Sequence, residues 1–107
     1  MKVYTLLAFT VLFVACSPNI NYLGDTYAPT LGQIDVFYDQ GDIEREYKVI
    51  GQLQGDNSDN VFITLDEIQA KMIEESKRRG AEGILFLMSD TYNNDHIVRA
   101  KLIRYKN

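Results

Sequence analysis

The chain has 107 residues, with 11 basic against 15 acidic side chains and a formal net charge of −4. That length sets one small domain, and the acidic balance argues against binding nucleic acid or anionic lipid through charge alone. One cysteine, Cys16, excludes an intramolecular disulfide, and one histidine, His96, leaves too few ligands for a zinc or copper site built on His and Cys.

The first element is a leader. Lys2 supplies a positive start, and residues 3–15 form an apolar run broken only by Tyr4, Thr5 and Thr10. The run falls short of the roughly 20 residues that a membrane-spanning helix needs, and it has the proportions of a secretory signal. It ends in Phe13, Val14, Ala15 and Cys16, which resembles the bacterial lipobox, with Phe13 where leucine is commonest. The resemblance implies that residues 1–15 are removed, that the Cys16 thiol takes a diacylglycerol and that the new amine is acylated. Two or three acyl chains give stable anchoring at about 0.8 kcal/mol per buried methylene. Ser17, rather than Asp, after the cysteine implies the outer membrane by resemblance to the Gram-negative sorting rule. Without Lys2 the mature chain carries ten basic and fifteen acidic side chains, a charge of −5.

Residues 16–32 hold the lipidated cysteine and then SPNINYLGDTYAPTLG, rich in Asn, Pro, Gly, Ser and Thr without helical or strand period. They are expected to form a linker or extended arm, with the stretch around Tyr27 lying against the folded domain. Residues 33–107 are expected to be that domain. The class expected is α+β, a four-stranded sheet with one crossover helix in the order β-β-α-β-β.

Residues 33–38 (QIDVFY) alternate and predict a strand. A turn at Asp39, Gln40, Gly41 and Asp42 leads to residues 47–53 (YKVIGQL), a second strand expected to pair antiparallel with the first. Its Tyr47, Val49 and Leu53 are expected on one face and Lys48, Ile50 and Gln52 on the other, with Gly51 marking a bulge or a close backbone approach.

After a polar loop come unusually complete helix signals. Thr64 and Glu67 make a capping box, and Ile63 and Ile68 are placed for a hydrophobic staple. Leu65, Ile68, Met72 and Ile73 form an apolar stripe of helical period. Glu67/Lys71, Glu74/Arg78 and Glu75/Arg79 are favourable i,i+4 pairs, and Gly80 stops the helix. Residues 84–88 (ILFLM) predict a strand buried on both faces. Residues 97–105 predict a hairpin partner with Val98, Ala100 and Leu102 inward and Arg99 and Lys101 outward. One helix covers one face of such a sheet, so the second is expected to pack on a second copy, the Tyr27 segment or a partner.

Tyr47, Lys48, Val49, Ile50 and Gly51, and later Arg79, Gly80, Ala81, Glu82, Gly83 and Ile84, resemble signatures of small ββαββ domains, the YbjQ-like proteins and RcsF-type envelope lipoproteins. The resemblance spans residues 33–105. It implies ring oligomers and heavy-metal binding on the YbjQ side, and envelope-stress sensing through a partner on the RcsF side. The cysteines that form disulfides in RcsF-type domains are missing here.

Three constellations could carry chemistry. Asp56, Ser58, Asn60, Thr64 and Glu67 have EF-hand-like spacing, but Val61 stands where that loop needs glycine, and the capping box explains Thr64 and Glu67 without calcium. Asp39, Asp42, Glu44 and Glu46 read as a solvated turn rather than an acid/base pair. His96 reads as an exposed hairpin residue. The expectation is therefore a non-enzymatic protein without cofactor or metal, with Cys16 as its one modified residue. Its expected partners are the membrane, through the N-terminal lipid, and a second copy or an envelope protein; the alternative is a YbjQ-like oligomer binding a small ligand or metal ion.

Overall fold

The computed structural model describes residues 18–58, 62–87, 90–92 and 95–106. In chain order the elements are β1 (Asn19–Gly24), β2 (Asp35–Phe37), β3 (Tyr47–Asp56), α1 (Leu65–Arg78), β4 (Gly83–Phe86), β5 (Asp90–Tyr92) and β6 (Asp95–Tyr105). Five strands lie in the order β1-β3-β6-β4-β2, and β5 also pairs with β6.

The α+β class holds, but the four-stranded β-β-α-β-β arrangement does not. The sheet has six strands among the described residues and is mixed. The added strands are β1 and the three-residue β5, which pairs with β6, and two further features hid the arrangement from the sequence. First, Asn19–Gly24 pairs antiparallel with β3 along its whole length, from Asn19 opposite Asp56 to Gly24 opposite Gly51. Only Ile20 and Tyr22 of this strand pack on the core; among Asn and Gly they give too short an alternation to read as a strand. Second, β2 does not form a hairpin with β3. It runs parallel to β4, with Val36 opposite Ile84, and lies at the far edge. A three-residue strand has little pairing of its own, so a partner brought in by the crossover through α1 decides its place.

β3 and β6 form the long central pair, and Gly51 marks the expected irregularity. The register shifts between Val49 and Gly51. An extra residue here reverses the alternation. Val49, opposite Ile103, therefore shares a face with Gln52, opposite Lys101, while Ile50 joins the core with Leu53. The single alternation expected for residues 47–53 is thus broken in the middle.

α1 forms as its local signals direct. Thr64 caps it, accepting from the Glu67 N–H at 3.3 Å. At the other end the Ala81 N–H reaches Ser76 O at 3.0 Å and the Gly80 N–H reaches Lys77 O at 3.1 Å, with Gly80 at φ 81°. This is the Schellman pattern that satisfies the last carbonyls. Arg79 pairs with Glu75 at 2.8 Å as expected, whereas Lys71 takes Glu74 and Arg78 takes Glu75. Ile68 and Met72 are fully buried over Leu53, Ile84, Val98, Ala100 and Leu102. The helix can lie this low because Gly55 is bare: a Cβ there would stand 2.8 Å from Ile68 Cγ2 and 3.0 Å from Met72 Sδ.

Candidate interaction surface

Cys16 lies outside the described residues. Asn19–Gly24, expected as part of a linker or extended arm, is instead a strand of the sheet. Beyond β1, the stretch around Tyr27 packs against the domain, on the helix side. The Tyr27 N–H donates to Arg79 O at 2.9 Å, the Thr30 N–H to Lys77 O at 2.9 Å, and the Thr30 hydroxyl to Ala81 O at 2.6 Å. Arg104 and Lys48 lie over the Tyr27 ring at 4.7 and 5.1 Å, and Arg79 over Tyr22 at 4.8 Å. The Tyr22 hydroxyl donates to Asp25 O. Burial pushes its pKa up, the Arg79 charge opposes this, and Asp25 adds to it.

The opposite face of the sheet is turned away from α1. Strand register places Asn21, Leu23, Gln52, Gln54, Arg99 and Lys101 together on it. At its β4 side Leu85 and Ile103 are buried, with Phe37 opposite Leu85. Toward β1 the face opens into a groove of about 230 Å³ lined by Asn21, Leu23, Gln52, Gln54, Leu87 and Arg99. Leu23 is 81% exposed, and Val49 and Leu87 are also exposed. Large apolar side chains set among amides on an open sheet face suit contact with another surface.

A second depression, about 340 Å³, lies at the opposite edge, lined by Asp35, Phe37, Asp42, Glu44, Arg45 and Tyr105. The Tyr105 hydroxyl donates to Asp35 Oδ2 at 2.5 Å, and Arg45 lies over the ring at 4.0 Å. Burial, with the Asp35 hydrogen bond and charge, pushes the Tyr105 phenol up to about 12. Asp35 and Tyr105 are 70 positions apart and belong to strands separated by β4, so no sequence motif links them.

The other predicted residues are placed as follows. Asp56 Oδ1 accepts from the Ser58 hydroxyl at 2.7 Å, the Ser58 N–H at 3.1 Å and Asn19 Nδ2 at 3.3 Å. Burial acts to raise the Asp56 pKa, but these hydrogen bonds prevail and hold it below the ordinary value. Asn60 and Val61 lie outside the described residues, and Thr64 and Glu67 are joined in the helix cap. Asp39, Asp42, Glu44 and Glu46 are exposed, and Asp39 caps a one-turn helix by accepting from the Gly41 N–H. The His96 N–H donates to Asn57 Oδ1 at 2.8 Å. Among the described residues no three His, Cys, Asp or Glu side chains gather at one point.

No family model matches the chain, and no curated protein does. A solved structure, the crystal structure of a Francisella virulence factor, FvfA, in the orthorhombic form, superposes with a TM-score of 0.57. It is 18% identical, and the match covers 80% of this chain and 97% of that one. At this identity the similarity extends to the fold.

Proposed function

We propose that this chain is a lipid-anchored protein of a bacterial envelope, held by an acylated Cys16, that works without catalysis through protein contact at the open side of its sheet. The outer membrane is the address that Ser17 favours. The observation that carries the contact reading is the groove bordered by Leu23, Leu87, Gln52 and Gln54. At about 230 Å³ it is smaller than the roughly 300–1,000 Å³ typical of small-molecule sites, and Leu23 and Leu87 beside it are exposed. A second reading, an oligomer of YbjQ-like type that binds a small ligand or metal ion, draws on the larger depression beside Asp35, Arg45 and Tyr105.

Photo-crosslinking in cells tests the first reading. A crosslinking amino acid at Leu23 or Gln52, with Cys16 intact, is expected to give one shared adduct that is missing when the same amino acid replaces Ala70 on the exposed side of α1. The adduct mass separates a second copy from another protein. Equal adducts from all three positions, or none from Leu23 and Gln52, contradict the proposal.

A further inference from the structure

We infer that the outer edge of β1 is a seam between two copies of this chain, which pair β1 against β1, antiparallel, about a twofold axis at Asn21. β1 stands at one end of the strand order, and no strand lies beyond it among the described residues. Its backbone phase follows from the hydrogen bonds of the sheet. The Asp25 N–H donates to Ile50 O at 2.8 Å, and Asp25 continues the register in which Leu23 faces Gln52 and Asn21 faces Gln54. Asn21 and Leu23 therefore direct their backbone groups to β3. The same phase, carried across β3 to β6, turns Arg99 O away from β3, where the Leu87 N–H donates to it at 2.8 Å. The alternate residues, Ile20 and Tyr22, turn their N–H and C=O groups to the outer edge. Pro18, which has no N–H, precedes this edge.

A second copy fits this edge. β1 reads NINYLG, without a charged side chain or an internal proline, so it lacks the usual devices that keep sheet edges apart. At the other end of the strand order β2 is short, contains Asp35 and stands beside Asp42 and Glu44, so like charges oppose two copies there. With Asn21 on the axis, Ile20 of each copy lies opposite Tyr22 of the other, and each such pair exchanges N–H···O=C bonds in both directions. All the outward groups of Ile20 and Tyr22 are then satisfied at once, as a self-complementary twofold interface requires. On the helix side, where Ile20 and Tyr22 pack on the core, these are pairs of an aromatic with a β-branched side chain, which favour antiparallel pairing. On the open side the two Asn21 amides meet, each offering the other a donor and an acceptor. Asn21 and Leu23 also line the groove of the open face. The pairing sets two grooves side by side across the axis, so the contact surface proposed above becomes a composite of both copies. The seam itself needs neither acylation of Cys16 nor an outside partner.

Disulfide trapping of the full chain, in the cells that make it, tests the seam. Asn21→Cys places two thiols on the axis, with Cα atoms about 4.5 Å apart, inside the span of a disulfide. Leu23→Cys, the next position on the same face, lies four residues out of register with its counterpart, about 14 Å away. Both replace exposed side chains, and their melting curves should match the parent protein. Mild oxidation is expected to give a covalent dimer from Asn21→Cys at least about five times as abundant as from Leu23→Cys or from Ala70→Cys on α1. Mass spectrometry of the linked peptide should join the two substituted positions, which separates this bond from any through Cys16. Asn21→Lys places like charges on the axis and is expected to weaken association of the detergent-solubilised protein at least about tenfold in sedimentation. Equal yields from the three cysteine variants, no bond between the substituted positions, or a parent protein that sediments as a monomer overturns the seam and leaves a contact at the open face standing. A disulfide from Asn21→Cys to another protein gives the edge to a foreign strand and overturns the seam as well.

Discussion

Gly80 joins the helix to the segment that precedes the domain's second strand. Its φ of 81° lies in the left-handed region, and a Cβ there would stand 2.6 Å from Tyr27 Cβ and 2.7 Å from Ala28 O. Gly80→Ala is expected to lose roughly 2–4 kcal/mol, combining left-handed strain with overpacking against backbone that cannot move aside. Chemical denaturation measures it. At Gly51 the obstruction is a side chain: a Cβ there would stand 2.6 Å from a ring carbon of Tyr22 and closer still to its hydroxyl. Gly51→Ala should cost roughly 1–3 kcal/mol, and Tyr22→Leu in the same chain should reduce that cost. Equal losses in both backgrounds would mean that Tyr22 is not what Gly51 makes room for. Tyr105 adds a pH effect. Its folded phenol titrates at about 12 against an ordinary value of 10.0. The hydrogen-bonded neutral form therefore stabilises the fold fully below pH 10, and that contribution fades as pH rises toward 12. Tyrosinate absorbance should show a last phenol titrating at about 12 that is missing in Tyr105→Phe and moves down in Asp35→Asn.

Among the elements, what was legible in the sequence was what is local. The α1 cap, stripe and stop all fall between Thr64 and Gly80, and each is found in place. Thr64→Ala should cost about 1 kcal/mol, read from the same denaturation curves. β1 was illegible because an edge strand commits only one face, and here that face holds just Ile20 and Tyr22. The reversed alternation in β3 was illegible because one inserted residue at Ile50 exchanges the faces while leaving composition unchanged. The parallel pairing of β2 joins positions far apart in the chain, Val36 with Ile84. The candidate surface shares this difficulty: its groove is assembled from β1, β3, β6 and the residue after β4, whereas the lipobox-like stretch ending at Cys16 is four consecutive residues. The elements also predict where the folding unit begins. A chain starting at residue 33 lacks the six-residue pairing of β1 and the packing of Ile20, Tyr22 and Tyr27. It should lose the cooperative thermal transition, followed by circular dichroism, that a chain starting at residue 17 keeps. Equal melting of the two would make β1 an ornament of the sheet.

At the scale of the whole molecule, the domain is thin and its chain holds one cysteine, so no intramolecular disulfide braces it. A single helix layer covers one face of the sheet, and the segment around Tyr27 extends that same layer past the end of α1 rather than crossing to the other side. The proposed role in the envelope hangs on Cys16. The most direct measurement is the intact mass of the protein recovered from bacterial membranes, beside that of Cys16→Ala. The expected species is a chain beginning at Cys16, heavier by a diacylglyceryl group and an amide-linked acyl chain, with Cys16→Ala retaining residues 1–15 and gaining no lipid. A mature protein with an unmodified Cys16 thiol, or one cut at another position, would contradict it.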